Sequence, residues 1–192
     1  MSVLYISYDG LMEQLGQSQV LPYLRQLAKG RKITLITYEK KQDFENIERK
    51  NQFQQMTLDS GIQWLPLRYH KSPRMFAKAY DMAVGIVFCS LQCIKEKIKI
   101  IHTRGYVVSL IALVIRRIFD VHFIFDMRGF WIDQRVEMGL WREDSRIFRF
   151  AKWLEGRFLQ RASVVFALSS AAVEAMKKWP AVRGHSINFE VV

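Results

Sequence analysis

The sequence predicts an α/β protein: a doubly wound, Rossmann-like, mainly parallel sheet with helices on both faces. Three observations carry this prediction. Short apolar, β-branched runs recur along the 192 residues. Most of them are continuous rather than alternating, as strands buried on both faces must be. Most intervals between them are long enough for a crossover helix, and several have helical periodicity.

The first run, Val3–Ser7, leads into a long loop and then a helix. In that helix Val20, Leu24, Leu27 and Ala28 form one apolar stripe. Pro22 falls near its first turn, where a missing N–H costs least, and Gly30 ends it. The second run, Ile33–Tyr38, precedes the polar stretch Glu39–Ser60. Its only apolar contacts are Phe44, Ile47, Phe53, Met56 and Leu58, which predicts an outer or mobile helix. Ile62–Leu67 is the third strand and Ile98–His102 the fourth. The apolar stretches Ala79–Cys93 and Tyr106–Ile115 flank the fourth strand and read as buried helices. Asp81, Ser90 and Gln92 interrupt the first; Arg116 and Arg117 stop the second. Neither stretch reaches the ~20 residues needed to span a bilayer. Val121–Phe125, Val164–Leu168 and Ile187–Val192 complete seven strands. Residues 1–192 read as one domain, with no repeat or linker.

Composition narrows the function. Half the residues are hydrophobic and 24% are charged, with ten Gly and four Pro, which excludes a disordered or fibrous chain. Lys plus Arg number 29 against 18 Asp plus Glu, a net charge of +11. Such a chain expects an acidic partner: a nucleotide, nucleic acid, an anionic membrane or a polyphosphate. Cys89 and Cys93 cannot make a disulfide framework and read as small core side chains. The start runs straight into a strand pattern, with no basic lead or cleavage site. A cytoplasmic setting with reduced thiols is the expectation.

In doubly wound sheets the ligand lies beyond the carboxyl ends of the strands. After the first strand comes Tyr8-Asp9-Gly10-Leu11-Met12-Glu13-Gln14-Leu15-Gly16-Gln17-Ser18-Gln19. Gly16 permits close approach to the backbone, and Ser18 is placed to cap the helix. The two glycines do not have the dinucleotide-fingerprint spacing, and no Gly-Lys-Ser/Thr follows. After the fourth strand stand His102-Thr103-Arg104-Gly105, and after the fifth Asp126-Met127-Arg128-Gly129-Phe130-Trp131-Ile132-Asp133-Gln134-Arg135-Val136-Glu137. The latter mixes charges of both signs with two bulky aromatics. Arg104 and Arg128 suit phosphate or carboxylate; Asp126 and Glu137 suit sugar hydroxyls or acid–base work. The structural alternative is an ion pair of Asp126 with Arg104 or Arg128 that ties loops together. His102 reads as a buried structural residue or a mouth residue, His122 as packed, and His70 and His185 as surface residues. No zinc cluster and no nucleophile elbow are present.

The phrases Tyr8-Asp9-Gly10…Leu15-Gly16-Gln17-Ser18-Gln19-Val20-Leu21-Pro22-Tyr23-Leu24 and Asp126-Met127-Arg128-Gly129-Phe130-Trp131 resemble the amino-terminal domain of family 4 glycosyltransferases, retaining enzymes of GT-B architecture. Lys152, Glu155 and Arg157, then Ala162-Ser163-Val164-Val165 and Ser169-Ser170, resemble the family's next element. The resemblance implies an acceptor-side domain, with a C-terminal donor-binding domain absent from this chain. The implied reaction moves a sugar, as in hexosyltransferases, from a nucleotide donor to an acceptor hydroxyl with retention. Cell-surface polysaccharide or glycolipid synthesis is the expected setting. The nucleotide sugar is a co-substrate, and neither cofactor nor metal is expected. Many members place a His after the fifth strand; here Asp126 stands at that place.

Those considerations assign Asp126 and Arg128 to catalysis and Gly16 and Gln17 to the donor or its phosphates. They assign Asp9, Arg104, Trp131 and Glu137 to the acceptor. The isolated domain is expected to be inactive. Two alternatives stay open: a non-catalytic basic module that binds nucleic acid or a partner subunit, and a GT-B-like sugar-nucleotide epimerase. No nucleic-acid motif supports the first. Finally, a helical wheel puts Arg146, Arg149, Arg157 and Arg161 on one face with Phe150 and Trp153 among them. Ile147, Ala151, Leu154, Phe158 and Ala162 lie on the core face. Arg146, Arg149, Trp153 and Arg157 are therefore expected to face an anionic membrane, which suits a lipid-linked acceptor.

Overall fold

Seven parallel strands form one sheet in the order β3-β2-β1-β4-β5-β6-β7. The computed structural model describes the backbone of residues 1–192 and the side chains of all of them but 74 and 75. The strands are β1 (Ser2–Ser7), β2 (Lys32–Glu39), β3 (Ile62–Arg68), β4 (Ile100–Arg104), β5 (His122–Met127), β6 (Val164–Ala167) and β7 (Phe189–Val191). All seven predicted strands are present. Their ends move, because aliphatic runs do not mark where pairing stops. β4 and β5 each continue about one turn of pleat further than the apolar run, so Arg104 pairs in register with Asp126 inside the sheet. Two residues expected in loops after the strands are therefore held by the ladder.

Alternate residues divide the core in two, as the pleat requires. On one face Leu4, Ile6, Ile36, Ile101, Phe123, Phe125 and Val165 pack under α4 (Arg74–Glu96), α5 (Tyr106–Ile118), α7 (Arg146–Arg161) and α8 (Ser170–Lys177). On the other, Val3, Tyr5, Ile33, Leu35, Ile62 and Trp64 pack under α1 (Leu21–Ala28) and α3 (Ile47–Asp59). The short helices α2 (Lys41–Glu45) and α6 (Trp131–Glu137) complete the set. Over β5 and β6 the second face is open. Ile124, Val164 and Phe166 are half-buried there, and Leu168, just past β6, is 47% exposed.

Several local expectations change. A π-helical turn, Gly16–Val20, runs directly into α1, so Ser18 caps nothing; its hydroxyl donates to the Gln14 carbonyl. The polar stretch after β2 forms α2 and the thirteen-residue α3, which rests Phe53 and Met56 on the core. Ile147 is not a core residue: it lies in the first turn of α7 and is 52% exposed. His122, the first residue of β5, is exposed rather than packed. The largest correction concerns α4. It is one continuous helix of 23 residues, and its segment Phe76–Glu96 is long and apolar enough by composition to cross a membrane. Only one side of it is buried.

Candidate functional site

At the carboxyl ends of β1, β4, β5 and β6, on the open side of the sheet, side chains from several elements converge. Tyr5, His102, Arg104, Asp126 and Phe166 rise from the strands. Gln19 and Tyr23 come from the π-turn and α1, Arg128 from the loop after β5, and Leu168 and Val192 from the ends of β6 and β7. They line a cavity of about 240 Å³. Pairing of β4 with β5 sets the spacing: His102 stands opposite Ile124 and Arg104 opposite Asp126.

The polar members are only half satisfied by one another. Gln19 Oε1 accepts hydrogen bonds from both Arg104 and Arg128, the latter at 3.1 Å. Arg128 Nη1 lies 3.6 Å from Asp126 Oδ1, and His102 Nε2 lies 4.0 Å from Asp126 Oδ2. These are near approaches, not hydrogen bonds. Among the described residues, six buried side-chain polar atoms lack a partner, and three of them are here: His102 Nε2, Arg104 Nε and Asp126 Oδ1. A buried polar atom without a partner costs about 1–3 kcal/mol. Three such atoms converging on one cavity mark a site shaped for a polar ligand rather than for stability.

Protonation follows from burial. His102 is 2% exposed. Burial, assisted by the Arg104 charge, holds its imidazole down to about 3, so it is neutral at pH 7. The ring is wedged against Tyr5 at 4.6 Å between centroids, Phe166 at 5.4 Å and Tyr23 at 5.8 Å. Burial pushes the Asp126 carboxyl up, opposed by the Arg128 and Arg104 guanidiniums. A partly desolvated carboxylate beside two arginines can accept from a hydroxyl while the arginines donate to an anion.

Two buried carboxylates, neither assigned from sequence, hold the loops that frame the cavity. Glu39 ends β2 fully buried and accepts from the Leu11 N–H at 2.6 Å, the Met12 N–H at 3.2 Å and the Thr37 hydroxyl at 2.5 Å. The Trp64 indole donates to Thr37 Oγ1 at 2.7 Å. Glu155 of α7 accepts from the Tyr106 hydroxyl at 2.8 Å and from Lys152 at 2.7 Å, and Lys152 also reaches Asp133 of α6 at 2.8 Å. The same Tyr106 hydroxyl oxygen lies 3.1 Å from the Gly129 carbonyl oxygen, so its single proton is shared between Glu155 and the turn that carries Arg128.

The structure thus brings Asp126, Arg128 and Arg104 together. Trp131 stands apart, lining a second cavity of about 160 Å³ with Gly105, Tyr106, Val107, Gly129 and Gln134; Arg128 borders both. Its ring packs on Tyr106 at 5.9 Å, under Arg135 at 4.7 Å. Gly16 is buried, and the approach its missing Cβ permits is to the chain itself: an added Cβ would sit 2.2 Å from the Gly10 carbonyl oxygen and 2.6 Å from Leu11 Cα. Gln17 is exposed and ties its amide to the Met12 carbonyl at 2.8 Å. Asp9 is exposed at the end of β1, and Glu137 is exposed at the end of α6; neither lines either cavity. Arg146, Arg149, Trp153 and Arg157 are exposed, with Arg157 over the Trp153 ring at 5.4 Å. His70 is not a free surface residue: its Nδ1 meets the buried Asp81 carboxylate at 2.6 Å. Gln19, which joins the two arginines, had no signal of its own among three consecutive polar residues.

A family model described as a glycosyl transferase 4-like domain matches residues 19–187. No curated protein matches the chain. Among solved structures, a sucrose-phosphate synthase from Thermosynechococcus elongatus superposes with a TM-score of 0.68 at 13% identity, covering 100% of this chain and 47% of that one. UGT2 of Phytolacca americana, complexed with UDP-2fluoro-glucose and pterostilbene, gives 0.62 at 8% identity, covering 98% and 52%. HepE of Anabaena, in complex with UDP and glucose, gives 0.58 at 13% identity, covering 100% and 44%. The chain spans about half the length of the solved structures it resembles.

Proposed function

Since the chain belongs to the glycosyl transferase 4-like domain family, we propose that it is the acceptor-binding half of a retaining glycosyltransferase that uses a nucleotide sugar. The carrying observation is the trio of buried, unpartnered polar atoms on His102, Arg104 and Asp126 at the open end of the sheet. Asp126 accepts from a hydroxyl of the acceptor or of the sugar being moved. Arg104 and Arg128, held as a pair by Gln19, face the anionic part of the substrate. Neutral His102 fixes the floor of the cavity and leaves Nε2 for a hydroxyl. A donor-binding half facing this cavity supplies the contacts that stabilise the leaving diphosphate. A sugar carried on a lipid suits the basic surface.

The test compares this chain with the two-domain protein, each given a nucleotide sugar and an acceptor panel. The chain alone is expected to unfold cooperatively and to transfer nothing, and the two-domain protein to give product with retained anomeric configuration. Transfer by the 192-residue chain alone, or an inverted product from the two-domain protein, overturns the proposal.

A further inference from the structure

Helix α4 is anchored to the sheet along one side. Asp81 is 1% exposed and accepts from the Tyr8 hydroxyl at 3.3 Å and the His70 N–H at 3.1 Å. The Tyr38 hydroxyl donates to the Asp81 carbonyl at 2.8 Å. Gly85 lies so close that an added Cβ would sit 2.1 Å from that same hydroxyl oxygen. Cys89 and Cys93 are buried one turn apart on the same side.

The opposite side is apolar and bare. Phe76 is 77% exposed, Tyr80 58%, Val87 56%, Leu91 54% and Ile94 67%. With 100° per residue these positions, together with the exposed Ala83, fall within an arc of about 80° along a helix about 35 Å long. Phe88 flanks the arc at 38% exposure. Soluble surfaces scatter single apolar residues; they do not line them up over about five turns.

The end of the stripe is basic. Lys95, Lys97 and Lys99 are exposed where α4 turns into β4, and Arg116 and Arg117 are exposed where α5, packed beside α4, turns into β5. β4 and β5 begin side by side, Ile100 opposite His122, so the two basic turns share one edge of the sheet. Ile118, 62% exposed, extends the apolar surface between them. Of the carboxylates nearby, Glu96 is engaged by Lys32 at 2.5 Å, and Asp120 is exposed.

From this arrangement we infer that the α4 stripe is a docking face for an anionic lipid bilayer, with the helix lying along the membrane rather than across it. Apolar and aromatic side chains enter the headgroup boundary while the five cations meet lipid phosphates. A spanning orientation would pull Asp81, Gly85 and both cysteines off the sheet. The contact is independent of the transfer chemistry. It is also distinct from the α7 arginine face, which presents cations with a stacked Phe150–Trp153 pair but no continuous apolar row.

Co-sedimentation with vesicles of neutral phosphatidylcholine, and of phosphatidylcholine with 30% phosphatidylglycerol, tests the inference on the intact chain. Binding is expected only to the anionic vesicles, fading with added salt. Val87→Glu/Leu91→Glu should lower binding at least tenfold with unchanged melting, since both side chains are exposed, and Val87→Ser/Leu91→Ser should lower it less. Arg146→Glu/Arg149→Glu should leave most binding in place. Binding lost only in the α7 variant, equal binding to both vesicles, none to either, or a dimer that Val87→Glu/Leu91→Glu dissociates would overturn the inference.

Discussion

One face of a single sheet is used in two ways. Over β1–β3 it is closed: Val3, Leu35, Ile33, Ile62 and Trp64 are buried under α1 and α3. Its one carboxylate, Glu39, has at least three donors. Over β5 and β6 the same face has no helix above it; Ile124 and Phe166 are half-buried there, beside the buried His102, Arg104 and Asp126. Three polar atoms there lack partners. Strand pairing is continuous across both halves, so the backbone does not distinguish them. The difference is the helix overhead. Where α1 and α3 close the face, apolar contact and satisfied polar groups serve stability. Where nothing closes it, the sheet presents charge to a ligand.

Substitutions can break or sharpen this contrast. The largest difference in stability is expected between Leu35→Ala and Leu168→Ala. Leu35 is fully buried, and its truncation should cost about 2–5 kcal/mol. Leu168 is 47% exposed on the open half, and its loss should stay within about 0.5 kcal/mol. Chemical denaturation of the two variants measures both; equal losses would mean that the open half is packed after all.

Glu39→Ala comes next. It leaves the Leu11 and Met12 amides and the Thr37 hydroxyl without their acceptor, an expected loss of about 3 kcal/mol. Proteolysis should then cut the loop after β1 before the rest of the chain. Uniform cleavage would deny the anchoring role.

His102 gives the smallest effect, and its sign is fixed by the direction of its shift. Its folded pKa, about 3, lies below the unfolded value. Its contribution is therefore complete above pH 6.5 and is lost as pH falls, because only the unfolded chain takes the proton. Between pH 7 and pH 5 that loss is about 2 kcal/mol, given an unfolded histidine pKa of roughly 6.5. His102→Gln should flatten the acid limb of the stability curve by that amount. The raised carboxyl of Asp126 acts in the opposite direction. An unchanged acid limb would place His102 in contact with solvent.

The strands were legible because continuous β-branched runs have few other uses. Their ends were not: the aliphatic pattern stops at Phe125, while hydrogen bonding carries Asp126 and Met127 into β5. Asp126 and Arg128 could be singled out because charged residues mixed with aromatics at a strand end have no packing rationale. Glu39 and Gln19 could not, since a glutamate at a strand end and a glutamine in a polar run are ordinary until tertiary contact gives them partners. The apolar stretch of α4 was read as buried because composition does not tell which side of a helix meets the sheet. Only the placement of Asp81 and Gly85 against β2 does.

The proposed role of the open half rests on Asp126 and Arg128. Turnover and melting temperature of Asp126→Asn and Arg128→Ala in the proposed two-domain protein test it most directly. Each is expected to lower turnover by roughly 10²-fold or more, with the melting temperature nearly unchanged. Early melting of both variants with normal specific activity would make the pair a structural tie between loops and would contradict that role.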